Sequence, residues 1–212
     1  MFITFRLHGS LPVQRVFPPE ILAQSGKAFV AMDRLLDKCT TGPMYLRRPE
    51  IARLVVAALQ DGECKFLRYR LHAYVVMPNH VHLLVTPSVA ASKWLAPLKG
   101  LTAYRANEVL GIHGHPFWQE ESYDHLVRSE AQFDRIQSYI EENPAKAGLV
   151  SEASQHPWSS AASRLKGVPR GDPRPRLAAP RRGSGALQKL TGLAPIYRLD
   201  APDHKHIENG SH

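Results

Sequence analysis

Two cysteines among 212 residues, Cys39 and Cys64, stand far apart and in no CxxC spacing. That argues against a disulfide framework and against a zinc centre built on thiolates, and both are read as reduced thiols. No apolar run approaches the roughly 18 residues a membrane-spanning helix requires. The opening MFITFRLHGS has neither the basic head nor the unbroken apolar core of a secretory signal, so a cytoplasmic location is expected by default. The phosphate-loop pattern GxxxxGK[ST] is absent, and Ser25-Gly26-Lys27 alone does not make one. No obvious helix-turn-helix segment is present.

What is present is an excess of positive charge. The net charge is +8 and the sequence pI is about 9.7, which favours a polyanionic partner without identifying it. Hydrophobic residues make up 43% and charged residues 22%, the balance of a globular chain with a proper core. The length fits one domain with additions or two small ones.

Taken in order, Phe2 to Leu7 alternates as a first strand, closed by Gly9-Ser10 and Pro12. Pro18-Pro19-Glu20 can open a helix that runs through Phe29, Met32, Leu35 and Leu36 to about Thr40. A second helix is predicted from Arg48 to Leu59, with Asp61-Gly62 as its stop. Lys65 to Val76 reads as a long strand, turned by Pro78-Asn79 into a second apolar run from His80 to Pro87. On that strand His80 and His82 point to the same face. Side by side they can hold one divalent ion, or one can be a satisfied core residue and the other exposed.

Ala90 to Leu110 is helix-like and carries Lys93, Lys99 and Arg105 beside Trp94 and Tyr104. Cations among aromatics suit phosphates and unstacked bases, and suit equally an amphipathic helix with its aromatics turned inward. Asp124 to Arg128 is a short strand, followed by a helix that Ser129 and Gln132 open as a capping box. That helix carries Tyr139 and Asn143, four apart and so on one face. Pro144 puts Asn143 at its last turn or just beyond. From about residue 166 the chain turns rich in Pro, Gly and Arg. Arg170, Arg174, Arg176, Arg181 and Arg182 form a basic arm there, with one short helical stretch from Ala186 to Leu193.

The blocks VVMPNHVHLLVTP, FWQEESYDHLVRSE and YIEENPAKAGLV followed by HPWSSA resemble, in this order, the IS200-type tyrosine transposases. They are most similar to the branch associated with repetitive extragenic palindromes, and the opening FITFRLHGSLP fits that branch too. The resemblance covers residues 1–165 and leaves 166–212 outside as a basic tail. It implies an α+β, ferredoxin-like domain: a central antiparallel sheet with helices on one side. It further implies metal ligation by His80, His82 and Asn143, and Tyr139 as the nucleophile that cuts and rejoins single-stranded DNA. Tyr123, in the ESYDH block, is the rival nucleophile.

Two imidazoles with an amide oxygen are compatible with Mg²⁺ or Mn²⁺, the imidazoles favouring Mn²⁺. The expected partner is single-stranded or hairpin DNA. Lys93, Lys99 and Arg105 are candidates for its backbone, and Trp94 or Trp118 for stacking, with Trp118 equally a core anchor. His125 and Arg128 are candidate helpers of the tyrosine. Two other readings stay open: a hairpin-binding regulator without catalysis, and a metal nuclease that uses water. Monomer and homodimer are equally compatible with the sequence.

Overall fold

The computed structural model describes residues 1–11, 25–38 and 41–165. The proline-led start of the first helix, Cys39, the basic arm and the stretch from Ala186 to Leu193 lie outside the described residues. Four strands, β1 (Phe2–Arg6), β2 (Tyr69–Val76), β3 (His80–Pro87) and β4 (Tyr123–His125), form one sheet in the order β2-β3-β1-β4. Every pairing is antiparallel. Helices α1 (Ser25–Lys38) and α2 (Pro49–Cys64) lie between β1 and β2, and α3 (Leu95–Leu110) between β3 and β4. After β4 come α4 (Glu130–Lys146) and the short α5 (Ser160–Leu165). This is the βαββαβ order of a ferredoxin-like domain, carried on by further helices.

Alternation along the strands divides the core in two. Ile3, Phe5, Val81, Leu83 and Val85 face α2 and α3, meeting Ile51, Val55, Leu59, Trp94 and Leu98. Phe2 and Leu84 face the other way, against Phe29, Met32 and Leu36 of α1 and Phe133 and Ile140 of α4. Both faces of the sheet are therefore covered. The pair α2 and α3 supplies the one-sided layer that the resemblance implies, and α1 with α4 adds a second. Each large apolar side chain so buried contributes roughly 1.5–3 kcal/mol.

An irregularity between Leu71 and Ala73 changes the phase of β2. Leu71 joins the α2/α3 side, whereas Ala73 and Val75 join the other, as one inserted residue requires. Three boundaries differ from expectation. The strand begins at Tyr69, after exposed Phe66 and Leu67 and a positive φ at Leu67. β4 spans Tyr123–His125 instead of Asp124 to Arg128. Gly62 does not stop α2, which runs through it to Cys64. A Cβ at Gly62 would lie 2.2 Å from the Tyr69 hydroxyl, which donates to Leu59 O at 2.8 Å. The glycine makes room for a phenol.

Candidate metal and nucleophile site

His80 and His82 lie on the α1/α4 face of β3 and are fully buried. Their Nε2 atoms are 3.0 Å apart, each set by a partner on the opposite ring nitrogen. Asn79 Nδ2 donates to Leu36 O at 3.0 Å, so Asn79 Oδ1 is free to accept from His80 Nδ1–H at 2.7 Å. The neutral ring then keeps a lone pair on Nε2. Thr4, the β1 residue paired with His82, places its hydroxyl 2.7 Å from His82 Nδ1 and can accept in the same way. Two lone pairs thus face one point.

A residue that sequence reasoning missed completes the cluster. Asp33 of α1, 2% exposed, brings Oδ1 to 3.1 Å from His82 Nε2 and 3.6 Å from His80 Nε2. Asp33, His80 and His82 are placed so that one metal ion can bind all three. The missed signal is helical: Asp33 stands four residues after Phe29 and three before Leu36, in line with the buried face.

Helix α4 continues through Pro144 to Lys146, so Asn143 sits in its last turn. Asn143 Nδ2 is 3.3 Å from His82 Nε2, and turning the amide by 180° presents Oδ1 to the same point. One turn earlier, the Tyr139 hydroxyl donates to Asp33 Oδ2. The predicted tyrosine, asparagine and histidines therefore meet, and Asp33 joins the phenol to the imidazoles.

Burial above all, then the neighbouring His82, pushes His80 down to about 3, against the pull of Asp33. The His80 ring is therefore neutral at ordinary pH. Burial acts to raise the Asp33 carboxyl, yet the imidazoles of His82 and then His80, with the Asn143 amide, hold it below its usual value. Asp37 is pushed up to about 7 by burial and by the Asp33 charge, against His82.

Asp33 Oδ1, Asp37 Oδ1 and Asn143 Oδ1 are buried without a hydrogen-bond partner. Orphaned buried acceptors around two imidazole lone pairs are costly without a positive charge among them. Oxygen donors with two imidazoles fit a divalent ion such as Mg²⁺ or Mn²⁺.

Tyr123, the rival tyrosine, stacks on Phe29 with ring centroids 4.4 Å apart. His125 accepts from Gln132 Nε2 at 2.6 Å, and exposed Arg128 donates its backbone N–H to Gln132 Oε1. Gln132 N donates to Ser129 Oγ, so Ser129 caps α4, while the glutamine side chain turns to Arg128 and not back to the cap.

The remaining candidates belong to the opposite layer. Lys93 and Arg105 are exposed beside and on α3. The Lys99 ammonium is engaged by Gln119 O, Glu120 O and Ser122 Oγ, tying α3 to the loop before β4. Trp118 is buried, packs its ring 4.7 Å from Phe5 and donates Nε1–H to Thr102. Of its two readings, the geometry is that of a core anchor.

The fold and this site together define a ferredoxin-like domain with a paired-histidine, tyrosine-bearing centre. Residues 49–143 match the family described as IS200-like transposases. The match contains both histidines, Tyr139 and Asn143, but neither β1 nor α1, so Thr4 and Asp33 lie beyond it. The REP-associated tyrosine transposase of Escherichia coli (strain K12) is 27% identical over 96 residues, 43% of this chain. The aligned part spans 54% of that relative, about half its length. A solved structure of the REP-associated tyrosine transposase bound to a REP hairpin aligns with TM-score 0.45 and 20% identity, over 86% of this chain and 92% of that one.

Proposed function

We propose that this protein cuts and rejoins single-stranded or hairpin DNA through a covalent bond to Tyr139, with a divalent metal held by His80, His82, Asp33 and Asn143. The observation that carries the reading is the shared carboxylate: Asp33 accepts from the Tyr139 hydroxyl with one oxygen and turns the other to the paired imidazoles. A bound Mg²⁺ or Mn²⁺ supplies charge stabilisation at the scissile phosphate.

The chain's own residues do the rest. The Tyr139 oxygen attacks phosphorus in line and its proton passes to Asp33, which the hydrogen bond already aligns. A phenol with an ordinary pKa near 10 needs such an acceptor. The P–O bond to the 3′ oxygen breaks, that oxygen takes a proton from water, and a 3′-hydroxyl and a 5′-phosphotyrosine remain. The phosphodiester energy is kept, so a 3′-hydroxyl can reverse the step and join strands.

Similarity to a REP-associated tyrosine transposase favours a folded palindrome as substrate. Phosphate contacts fall to His125 and Arg128, which flank the start of α4, and to Lys93 and Arg105 of the opposite layer.

The test is denaturing-gel cleavage of labelled single strands from the flanks of the gene, with Mn²⁺, comparing wild type with Tyr139→Phe and Asp33→Asn. Wild type is expected to form a covalent adduct with the 3′-side fragment. Tyr139→Phe forms none, and Asp33→Asn cuts about 10²–10⁴-fold more slowly, the usual worth of a positioned base. An adduct that survives in Tyr139→Phe sinks the assignment and moves it to Tyr123. Cutting without any adduct means hydrolysis by water, and binding without cutting means a regulator.

A further inference from the structure

Asp37 lies one turn beyond Asp33 on α1 and so shares its inward face. Its Oδ1 is 3.9 Å from His80 Nε2 and, though buried, has no hydrogen-bond partner. The two carboxylates differ in access. Asp33 is sealed at 2% side-chain exposure, whereas Asp37, at 21%, borders a cavity of about 20 Å³ with Met44, Arg47, Pro78 and Leu149. That is room for a single water molecule, and His80 and Asn79 form part of the same wall.

We propose that Asp37 is a further ligand of the divalent cation, on the side from which solvent reaches it. The inference rests on reading the cluster as a metal centre. Donors around a six-coordinate ion at about 2.1 Å stand about 3.0 Å apart when adjacent and about 4.2 Å apart when opposite. The separations here are 3.0 Å between the imidazoles, 3.1 and 3.6 Å from Asp33, and 3.9 Å from Asp37 to His80. The Asp33, His80 and His82 donors fall within one coordination sphere, and Asp37 reaches its edge through His80.

Charge leads to the same conclusion. Two neutral imidazoles and one carboxylate leave a dication half compensated, and the second carboxylate completes the balance. Without a cation, Asp37 places an oxygen beside another carboxylate with nothing to donate to it. The orphaned Asp33 and Asn143 oxygens, both on nearly sealed side chains, point to the same missing charge.

The experiment is calorimetric titration of Mn²⁺ into the full chain, as wild type, Asp37→Asn and His82→Ala, with melting temperatures recorded with and without Mn²⁺. Asp37→Asn keeps the shape of the side chain and is expected to bind Mn²⁺ about 10–100-fold more weakly, the range seen when a metal site's supporting groups are removed. Its melting temperature without metal should be no lower than that of wild type, because a buried unpaired carboxylate has been removed. Equal Mn²⁺ affinity in wild type and Asp37→Asn would overturn the assignment. So would a metal-free Asp37→Asn that melts well below wild type, since that marks a purely structural role. A wild type that binds no Mn²⁺, or a His82→Ala that binds it undiminished, overturns the metal-centre reading itself and this inference with it.

Discussion

At the scale of single residues, chemistry and packing separate by what each polar atom touches. Tyr139 and Asp33 are joined by a hydrogen bond that no packing argument requires, and around them buried acceptors lack donors. Trp118 is the opposite case. Its N–H is satisfied by Thr102 and its ring lies against Phe5 and Phe117. Trp118→Ala is expected to cost about 3–5 kcal/mol of folding stability, measured by denaturant unfolding. A variant that stays fully stable but loses DNA affinity would return Trp118 to the surface role.

At the scale of elements, the site depends on how β2, β3 and α4 are held in register. The segment after α4 is pinned to β2: His156 Nε2–H donates to Val76 O at 2.9 Å, Val76 N–H to Trp158 O, and Val75 bridges to Ser159. Burial holds His156 below the ordinary imidazole value, more strongly than the hydrogen bond to Val76 raises it. The unfolded chain takes up a proton as pH drops through about 6.5, while the folded chain resists it. The contribution of His156 is therefore complete above that pH. It is lost as pH falls toward the folded-state value, by at most ~1.4 kcal/mol per pH unit. Unfolding free energy measured from pH 7.5 to 5 should fall less steeply in His156→Gln than in wild type. Identical slopes would mean that His156 is protonated in the fold as readily as outside it.

At the scale of the whole molecule, the net charge of +8 is divided among positions with different duties. Lys99 is committed to the fold, and Lys146 pairs with Glu142 at 2.8 Å. Among the described residues no helix is long and apolar enough to cross a membrane. The arginines at 170, 174, 176, 181 and 182 carry charge unaccounted for by the domain. Replacing them by glutamine is expected to weaken single-strand binding most at low salt. The slope of log affinity against log salt should fall by about 0.7 for each phosphate the arm no longer neutralises, read from titrations at several salt concentrations. An unchanged slope would leave the arm without a part in DNA binding.

The local periods of the chain determined much of this protein. A period of two put His80 and His82 on one face, a period of 3.6 put Tyr139 one turn before Asn143, and the Pro78-Asn79 break made the hairpin legible. The motif order was enough to indicate the resemblance to IS200-like transposases that the family match bears out over residues 49–143. Periodicity states which face of an element a residue occupies, but not what that face meets. Only the tertiary structure decided that α1, well before the histidines in the chain, lays Asp33 and Asp37 against them. It alone turned Lys99 and Trp118 from candidate DNA contacts into ties between α3 and its neighbours. The physical reason is that a carboxylate, an ammonium or an indole N–H must find a partner once buried. In a sheet covered on both faces, those partners come from elements far apart in sequence.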